Sequence, residues 1–571
     1  MSDEGSIASS EYAKGYVLRP LILALRCRNG MVMRMQFDYI IVGAGSSGCV
    51  LANRLSADPA CRVLLLEAGG KGDSFFVSMP AGFGKTANEP GDSWHYFSAP
   101  EPGLGHRPML LPRGKGLGGS SNINGLLYVR GQADDYDTWS QLGATGWGWA
   151  DVLPYFCRSE AHLGEAGPLH GRDGELAVSE TQFRDTTNAA VIEGFGQIGV
   201  PHNADFNGSA QFGAGHYQMT MRAGRRCSAA DAFLRPVMNR PNLTVLTGVS
   251  VQRVLIENGA ATGAVFTQGG ETRTALAARE VILSAGAYHS PKLLMLSGIG
   301  PAADLQAASI SPVVDRGAVG ANLQDHYVVP MSWELRPGVF SFNRELGGLR
   351  LVWNVLRYLA RRDGPMTIPA AQTGAFVKSD PALDRPDIQF HCLPVSGDIK
   401  AAAEGAKGKL SAFPGLTLAP CVLRPESRGR VRLAGPDPEA VPDIVHNYLV
   451  AAEDCRLTLR GMALARDLAA SPSLASLILR EDAPGAEADN EEALLDYARR
   501  FGSTGYHPVG TCRMGSDDDA VVDPQLRVRG VERLRVIDAS VMPRLVSGNT
   551  NAAAIMIGEK GADLILKGAA Q

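Results

Sequence analysis

Short unbroken apolar runs separated by glycine-rich turns dominate the first part of the chain. Residues 37–42 (FDYIIV) form such a run, and its length suits a buried strand rather than a helix. It stops at GAGSSG, residues 43–48, after which Val50, Leu51 and Leu55 recur on one helical face. A second apolar run at 62–66 ends in Glu67. The order is strand, G-x-G-x-x-G, helix, strand, acid. Gly43 permits the tight turn, Gly45 lets a pyrophosphate reach the backbone, and Gly48 lets helix and strand pack closely. The helix start offers unpaired N–H groups to phosphate. Glu67 follows Gly48 at a distance that suits ribose hydroxyls. The pattern predicts dinucleotide binding and leaves NAD and FAD both open.

Further elements follow from the same reading. Residues 280–285 (EVILSA) form another buried strand, leading to a helix that Ser290 and Pro291 open, with proline at its first position, and that ends at Gly298. Residues 245–266 read as an antiparallel meander turning at Asn258-Gly259. A further strand falls at 535–538. Along 349–362, Val352, Trp353, Leu356 and Leu359 share one side, with Arg350, Arg357, Arg361 and Arg362 elsewhere. The commoner fate of such a helix is a lid packed on its own domain; the other is docking on a membrane surface. The Ala- and Gly-rich stretch 398–415 reads as a mobile loop.

Composition narrows the class. The chain has 571 residues, enough for more than one domain, with 45% hydrophobic and 20% charged residues. That balance excludes a wholly disordered chain. A net charge of −4 argues against nucleic-acid binding. No run approaches the ~18 apolar residues of a membrane span. Nine cysteines without a C-x-x-C pair point away from a disulfide framework or a metal site and toward a reducing, cytoplasmic compartment. Residues 1–35 read as an extension. Its apolar stretch, 16–25, is broken by Arg19 and Pro20 and does not make a signal peptide. Met31, Met33 and Met35 offer later translation starts.

A second glycine turn lies in PRGKGLGGSSNINGLLYVRGQADDY, residues 112–136. It could cover a ring system or part of the same pyrophosphate, or be a helix cap made by Ser120 or Ser121. Here the residues resemble a known family. GKGLGGSSNINGLLYVRG (114–131) and GAYHSPKLLMLSGIG (286–300) resemble the two patterns of the glucose–methanol–choline (GMC) oxidoreductases. VGANLQDH (319–326), YHPVGTCRMG (506–515), VIDAS (536–540) and GNTN (548–551) are similar to further elements of that family, in the same order. Within it, the sequence most resembles the bacterial alcohol dehydrogenase and choline dehydrogenase branch.

The resemblance implies an α/β chain, α+β overall. A Rossmann-like FAD-binding domain would be assembled from 36–160, 223–325 and 500–571. A substrate domain with an antiparallel sheet and helices would comprise 161–222 and 326–499. It implies FAD held by Gly43, Gly45, Ser46, Ser47, Gly48 and Glu67, by Gly119, Asn124 and Gly125 in the second turn, and by the backbone of Val251 at the adenine. Asp538 and Ala539 would follow the ribityl–pyrophosphate stretch. Thr550 and Asn551 would open a helix toward the flavin pyrimidine, with Asn551 as its cap. His507 takes the role of base and Asn549 that of hydrogen-bond donor to the substrate oxygen. Covalently flavinylated members carry His where this chain has Ile123, so FAD is expected to be non-covalent. Choline-oxidising members carry Glu where this chain has Val328, which favours a neutral alcohol. The expected activity is oxidation of a primary alcohol, aliphatic or aryl, with electrons passed to a quinone or other non-NAD carrier, in the cytoplasm or at the inner face of its membrane. The alternatives are a choline dehydrogenase, an oxidase using O₂ and, more remotely, a hydroxynitrile lyase with structural FAD.

Overall fold

In the computed structural model the described residues are 35–164, 167–181, 183–399 and 409–569. The expected extension up to residue 34, and 400–408 of the expected mobile loop, lie outside them. Among the described residues two sheets organise the chain. The first has seven strands, in the order Leu243–Leu246, Val63–Leu66, Met35–Val42, Glu271–Leu283, Ala260–Gln268 and Val249–Glu257, with Leu534–Val536 also paired to Glu271–Leu283. Its parallel half is uniformly apolar: Ile40, Ile41, Val63, Leu64, Leu65, Val281 and Ile282 are buried. Strands covered on both faces need such runs. Glu271–Leu283 is long because its first half closes the antiparallel meander and its second half pairs with Met35–Val42.

The meander turns at Asn258 and Gly259, both at positive φ (52° and 78°), as a two-residue hairpin requires. It begins at Val249, however, and residues 245–246 belong to the parallel strand Leu243–Leu246. The helix expected to start at Pro291 starts earlier and spans Gly286–Leu296, with Pro291 inside it. A proline there cannot bond the carbonyl four residues back. The Thr511 hydroxyl takes that place, donating to the Ala287 carbonyl oxygen at 2.6 Å.

The second sheet is antiparallel: Ile478–Ala483, Met331–Leu335, Gly415–Val422, Ile388–Leu393, Thr373–Val377 and Gly213–His216. Tyr327–Val328 joins it beside Gly415–Val422 and in turn pairs with Ser503–Thr504. His507 therefore follows directly from an edge of this sheet, while its neighbours further along the chain return to the first.

Away from both sheets, Glu160, His162 and His170 bring ligand-type atoms within 4.8 Å of one another. Arg130 donates to Glu160 at 2.7 Å, and His170 bonds Glu160 at 3.1 Å and Asp205 at 2.9 Å. Burial opposes charge on His170, but its bonds to Asp205 and Glu160 outweigh that and push it up to about 9. Two cations and two carboxylates balance here, which makes this a closed ion network.

Candidate active site

A cavity of about 740 Å³, an ordinary size for a ligand site, is lined from both sheets. At one end stand Gly43, Gly45, Glu67, Val251 and Glu439. At the other stand Val328, His391, Thr417, His507 and Asn549. Ser46, Ser47, Gly119, Asn124, Gly125, Asp538, Ala539, Thr550 and Asn551 also line it. Gly48 does not. It lies beneath the first turn, where a Cβ would run into the Gly43 carbonyl oxygen, so its part is to let helix and strand close up.

Two helix starts converge on the first end. Ser46–Leu55 begins after Gly45, which has no side chain to cap it, so the first-turn N–H groups and the positive dipole end are left to a ligand. The C-terminal helix Asn551–Ala569 begins beside it. The Ser46 hydroxyl donates to Asn551 Oδ1 at 2.7 Å and the Ser47 hydroxyl to the Ala554 carbonyl at 2.6 Å. Asn551 is thus the first helical residue rather than the cap, and Ala554 N bonds the Thr550 carbonyl.

The second glycine turn packs directly on the first. Gly119 sits at φ +52°, and a Cβ there would come within 2.7 Å of Gly45 Cα. Gly118 N donates to the Ala44 carbonyl at 2.8 Å. Glu67 binds the layers together, accepting from Ala44 N, Gly69 N and Gly116 N, each at 2.9 Å. Burial raises its pKa against the pull of those three N–H groups. A carboxylate has about four acceptor sites, so one remains for a ribose hydroxyl. Asp538 is fully engaged, with Gly286 N, the Ser290 hydroxyl and both donors of Ser540, so it meets the cavity as a rigid corner. Asn124 accepts through Oδ1 from Arg226, at 2.6 Å, which leaves its amide N–H groups free. Arg226 itself is pushed down to about 9 by burial. Its part was not visible in the sequence. A bare-backbone cradle with two helix starts and a buried acid suits a dinucleotide pyrophosphate and ribose.

At the other end His507 is held on all sides. Its backbone N–H donates to Asp325 at 2.7 Å, and Asp325 also takes the hydroxyls of Thr504 and Tyr448 at 2.5 Å. Tyr506, just before it, has φ +64°, and its carbonyl accepts from Arg113 at 3.0 Å. His326 Nε2 lies 2.9 Å from the Leu423 carbonyl, which can only accept, so that nitrogen carries the proton. Neutral His326 then presents a lone pair at Nδ1, 2.8 Å from His507 Nδ1. His507 must donate there, which leaves its Nε2 as a lone pair. Asn549 Nδ2 donates to that lone pair at 3.1 Å, and Gln389 Nε2 donates to Asn549 Oδ1 at 3.3 Å. Burial above all, then His326, His391 and Arg113, hold His507 well below the usual histidine range. Burial also lowers His326, and pushes His391 down to about 4. The imidazole is therefore a neutral acceptor at neutral pH. A hydroxyl between Nε2 and Asn549 could donate to the first and accept from the second.

The surrounding wall is apolar, with Val328, Pro330, Ala370, Ala371, Leu393 and Ala419. The acids that line the cavity, Glu67, Glu439 and Asp538, stand among the residues of the nucleotide end. Trp333 and Phe390 are buried in the second sheet and do not line the cavity. Sequence reading marked the 319–326 element without a role for Asp325 or His326. Their partner lies more than 180 residues away, and nothing local signals it.

Comparison with known proteins places this arrangement. The description "GMC oxidoreductase" matches residues 37–328 and again 425–558. The chain is 42% identical over 541 residues to an alcohol dehydrogenase [acceptor] of Pseudomonas putida, covering 93% of this chain and 96% of that protein. An oxygen-dependent choline dehydrogenase of Rhizobium etli is also 42% identical, over 540 residues, with the same coverage. Among solved structures, pyridoxine 4-oxidase from Mesorbium loti superposes with a TM-score of 0.83 at 31% identity, covering 92% of this chain and 98% of that one.

Proposed function

The chain belongs to the GMC oxidoreductases, which are FAD enzymes, and from that premise we propose that it oxidises a neutral primary alcohol to the aldehyde and passes the electrons to a quinone-type or other non-NAD acceptor. One observation carries the choice of substrate. The His507–Asn549 pair stands in an apolar wall that includes Val328, the position at which, by the resemblance, choline-oxidising members carry a glutamate. On this reading 36–160, 223–325 and 500–571 hold the cofactor, and 161–222 with 326–499 enclose the alcohol. Ile123, aliphatic and without a nucleophile, lines the cavity, in keeping with non-covalent FAD.

When bound, FAD supplies the two-electron acceptor for the carbinol C–H. The chain supplies the rest. His507 Nε2 takes the hydroxyl proton, and Asn549 Nδ2 stabilises the negative charge developing on oxygen. His326 keeps His507 in the accepting tautomer. The start of Asn551–Ala569, beside Ser46, would present a positive dipole end to negative charge on the bound cofactor. The apolar wall keeps water from competing for Nε2.

Anaerobic mixing with a panel of alcohols tests the proposal. Bleaching of the flavin band by aliphatic or aryl alcohols is expected. Bleaching by choline alone would overturn it in favour of choline dehydrogenase, the reading supported by the Rhizobium relative. Bleaching by no alcohol would turn attention to cyanohydrin cleavage. Readmitting air separates an oxidase from a dehydrogenase by the speed of reoxidation. Val328→Glu should raise kcat/KM for choline relative to a neutral alcohol by about tenfold, roughly 1.4 kcal/mol of charge complementarity. An unchanged ratio would remove Val328 from the specificity argument. Glu67→Ala, which frees three buried N–H groups at once, should lower the flavin content of the purified protein. Full flavin content in that variant would refute its role in holding the cofactor.

A further inference from the structure

The helix Gly348–Arg361 carries apolar residues on two opposite faces. Leu351, Val355 and Tyr358 turn inward onto Met79, Met366 and Phe76. Asn354 is buried beside them and donates to Glu345. The other face is bare. Leu349 is 89% exposed, Val352 55%, Trp353 68%, Leu356 55% and Leu359 49%. The expectation of a lid packed on its own domain fails here, because the stripe that a lid would bury points away from the protein. A run of large aliphatic side chains with an indole at its centre is costly to leave in water, and such patches mark docking surfaces.

The charges say what docks. Arg344, Arg350, Arg357, Arg361 and Arg362 cluster along this segment with only Glu345 and Asp363 to oppose them. Arg350 pairs with Glu345 at 2.8 Å and Arg357 with Asp363 at 2.6 Å, and Arg362 turns inward over the Tyr358 ring, which leaves exposed Arg344 and Arg361 as the net positive charge of the flank. A second copy of the same face would set two positive flanks against each other. The chain's own residues 12–34 suit it no better, since they carry Lys14, Arg19, Arg26, Arg28 and Arg34 and no acid. We propose that this face docks on an anionic lipid bilayer. The aliphatic side chains and Trp353 enter the headgroup boundary, and the arginines meet lipid phosphates. Among the described residues no helix is long and apolar enough to cross a membrane.

The position of the helix gives the contact a consequence. Its inner face rests on the segment that starts at Phe75, whose ring lies 6.4 Å from Tyr358 and is itself 40% exposed. A few residues on, Phe83, Gly84, Ala87 and Asn88 line the cavity, and Gly84 and Asn88 are exposed. Docking therefore brings a lip of the cavity next to the bilayer.

The full-length holoenzyme is sedimented with vesicles of phosphatidylcholine alone and of an equimolar phosphatidylcholine–phosphatidylglycerol mixture. Binding to the anionic vesicles is expected to exceed binding to the neutral ones. Arg350→Glu with Arg361→Glu should weaken the anionic binding by about tenfold or more. Trp353→Glu with Leu356→Glu should weaken it by about a hundredfold. All four side chains point outward, so flavin content and anaerobic reduction by alcohol should stay at the wild-type level in both variants. The proposal is overturned if the holoenzyme stays in the supernatant with anionic vesicles, or if both variants bind as the wild type does. It is equally overturned if light scattering shows a dimer that Trp353→Glu with Leu356→Glu converts to monomer while vesicle binding is absent.

Discussion

His507→Ala should reduce the anaerobic rate of flavin reduction by alcohol about 10³-fold, within the usual range for loss of a general base, while the purified protein keeps its flavin. The reason lies in the separation of the two ends of the cavity. His507 is anchored through its backbone to Asp325, and its ring bonds His326 and Asn549. The nucleotide cradle is held instead by Glu67, by the two packed glycine turns and by the converging helix starts. Truncating the imidazole removes the proton acceptor and leaves the cradle intact. Asn549 still donates to the substrate oxygen, so some catalysis survives. Stopped-flow reduction, normalised to bound flavin, measures the effect. Near-normal turnover per flavin in a protein that had lost most of its flavin would reverse the assignment and make His507 part of the cofactor site.

What could be read from the chain beforehand divides along physical lines. The two glycine turns were legible because backbone packed on backbone admits no side chain, as at Gly48 and Gly119, and that demand is written in residue type. The parallel strands were legible because burial on both faces needs unbroken apolar runs. The Asn258-Gly259 hairpin was legible because both residues must take positive φ. The helix around Pro291 was misread by several residues. Local rules place proline at a helix start, and the compensating donor, Thr511, lies over two hundred residues away. The helix at 348–361 had the right periodicity and the wrong expected environment, since periodicity defines faces without saying which one the protein covers. Resemblance picked out His507 and Asn549. The residues that set the protonation of His507 stayed hidden, because a tautomer is fixed by neighbours in space.

That hidden layer makes a second large effect. His326→Ala should lower the rate of flavin reduction by about 10²-fold or more with flavin content unchanged. The Leu423 carbonyl fixes the proton of His326 on Nε2, and His326 Nδ1 in turn requires His507 to carry its own proton on Nδ1. Without that acceptor, a buried Nδ1–H loses its partner, at a cost of about 1–3 kcal/mol. His507 then has reason to move its proton to Nε2, where it faces the substrate hydroxyl as a donor and cannot act as base. In a serine protease triad the same fault, a wrong histidine tautomer with geometry intact, lowers kcat by about 10⁴. His326→Asn separates this cause from a packing defect, because its amide oxygen can stand near the place of Nδ1 and accept from His507. It should recover much of the rate that Ala loses, with KM changed little in either variant. Equal losses in the two variants, or a large rise in KM with kcat preserved, would show that His326 serves packing alone and that the tautomer of His507 is set elsewhere.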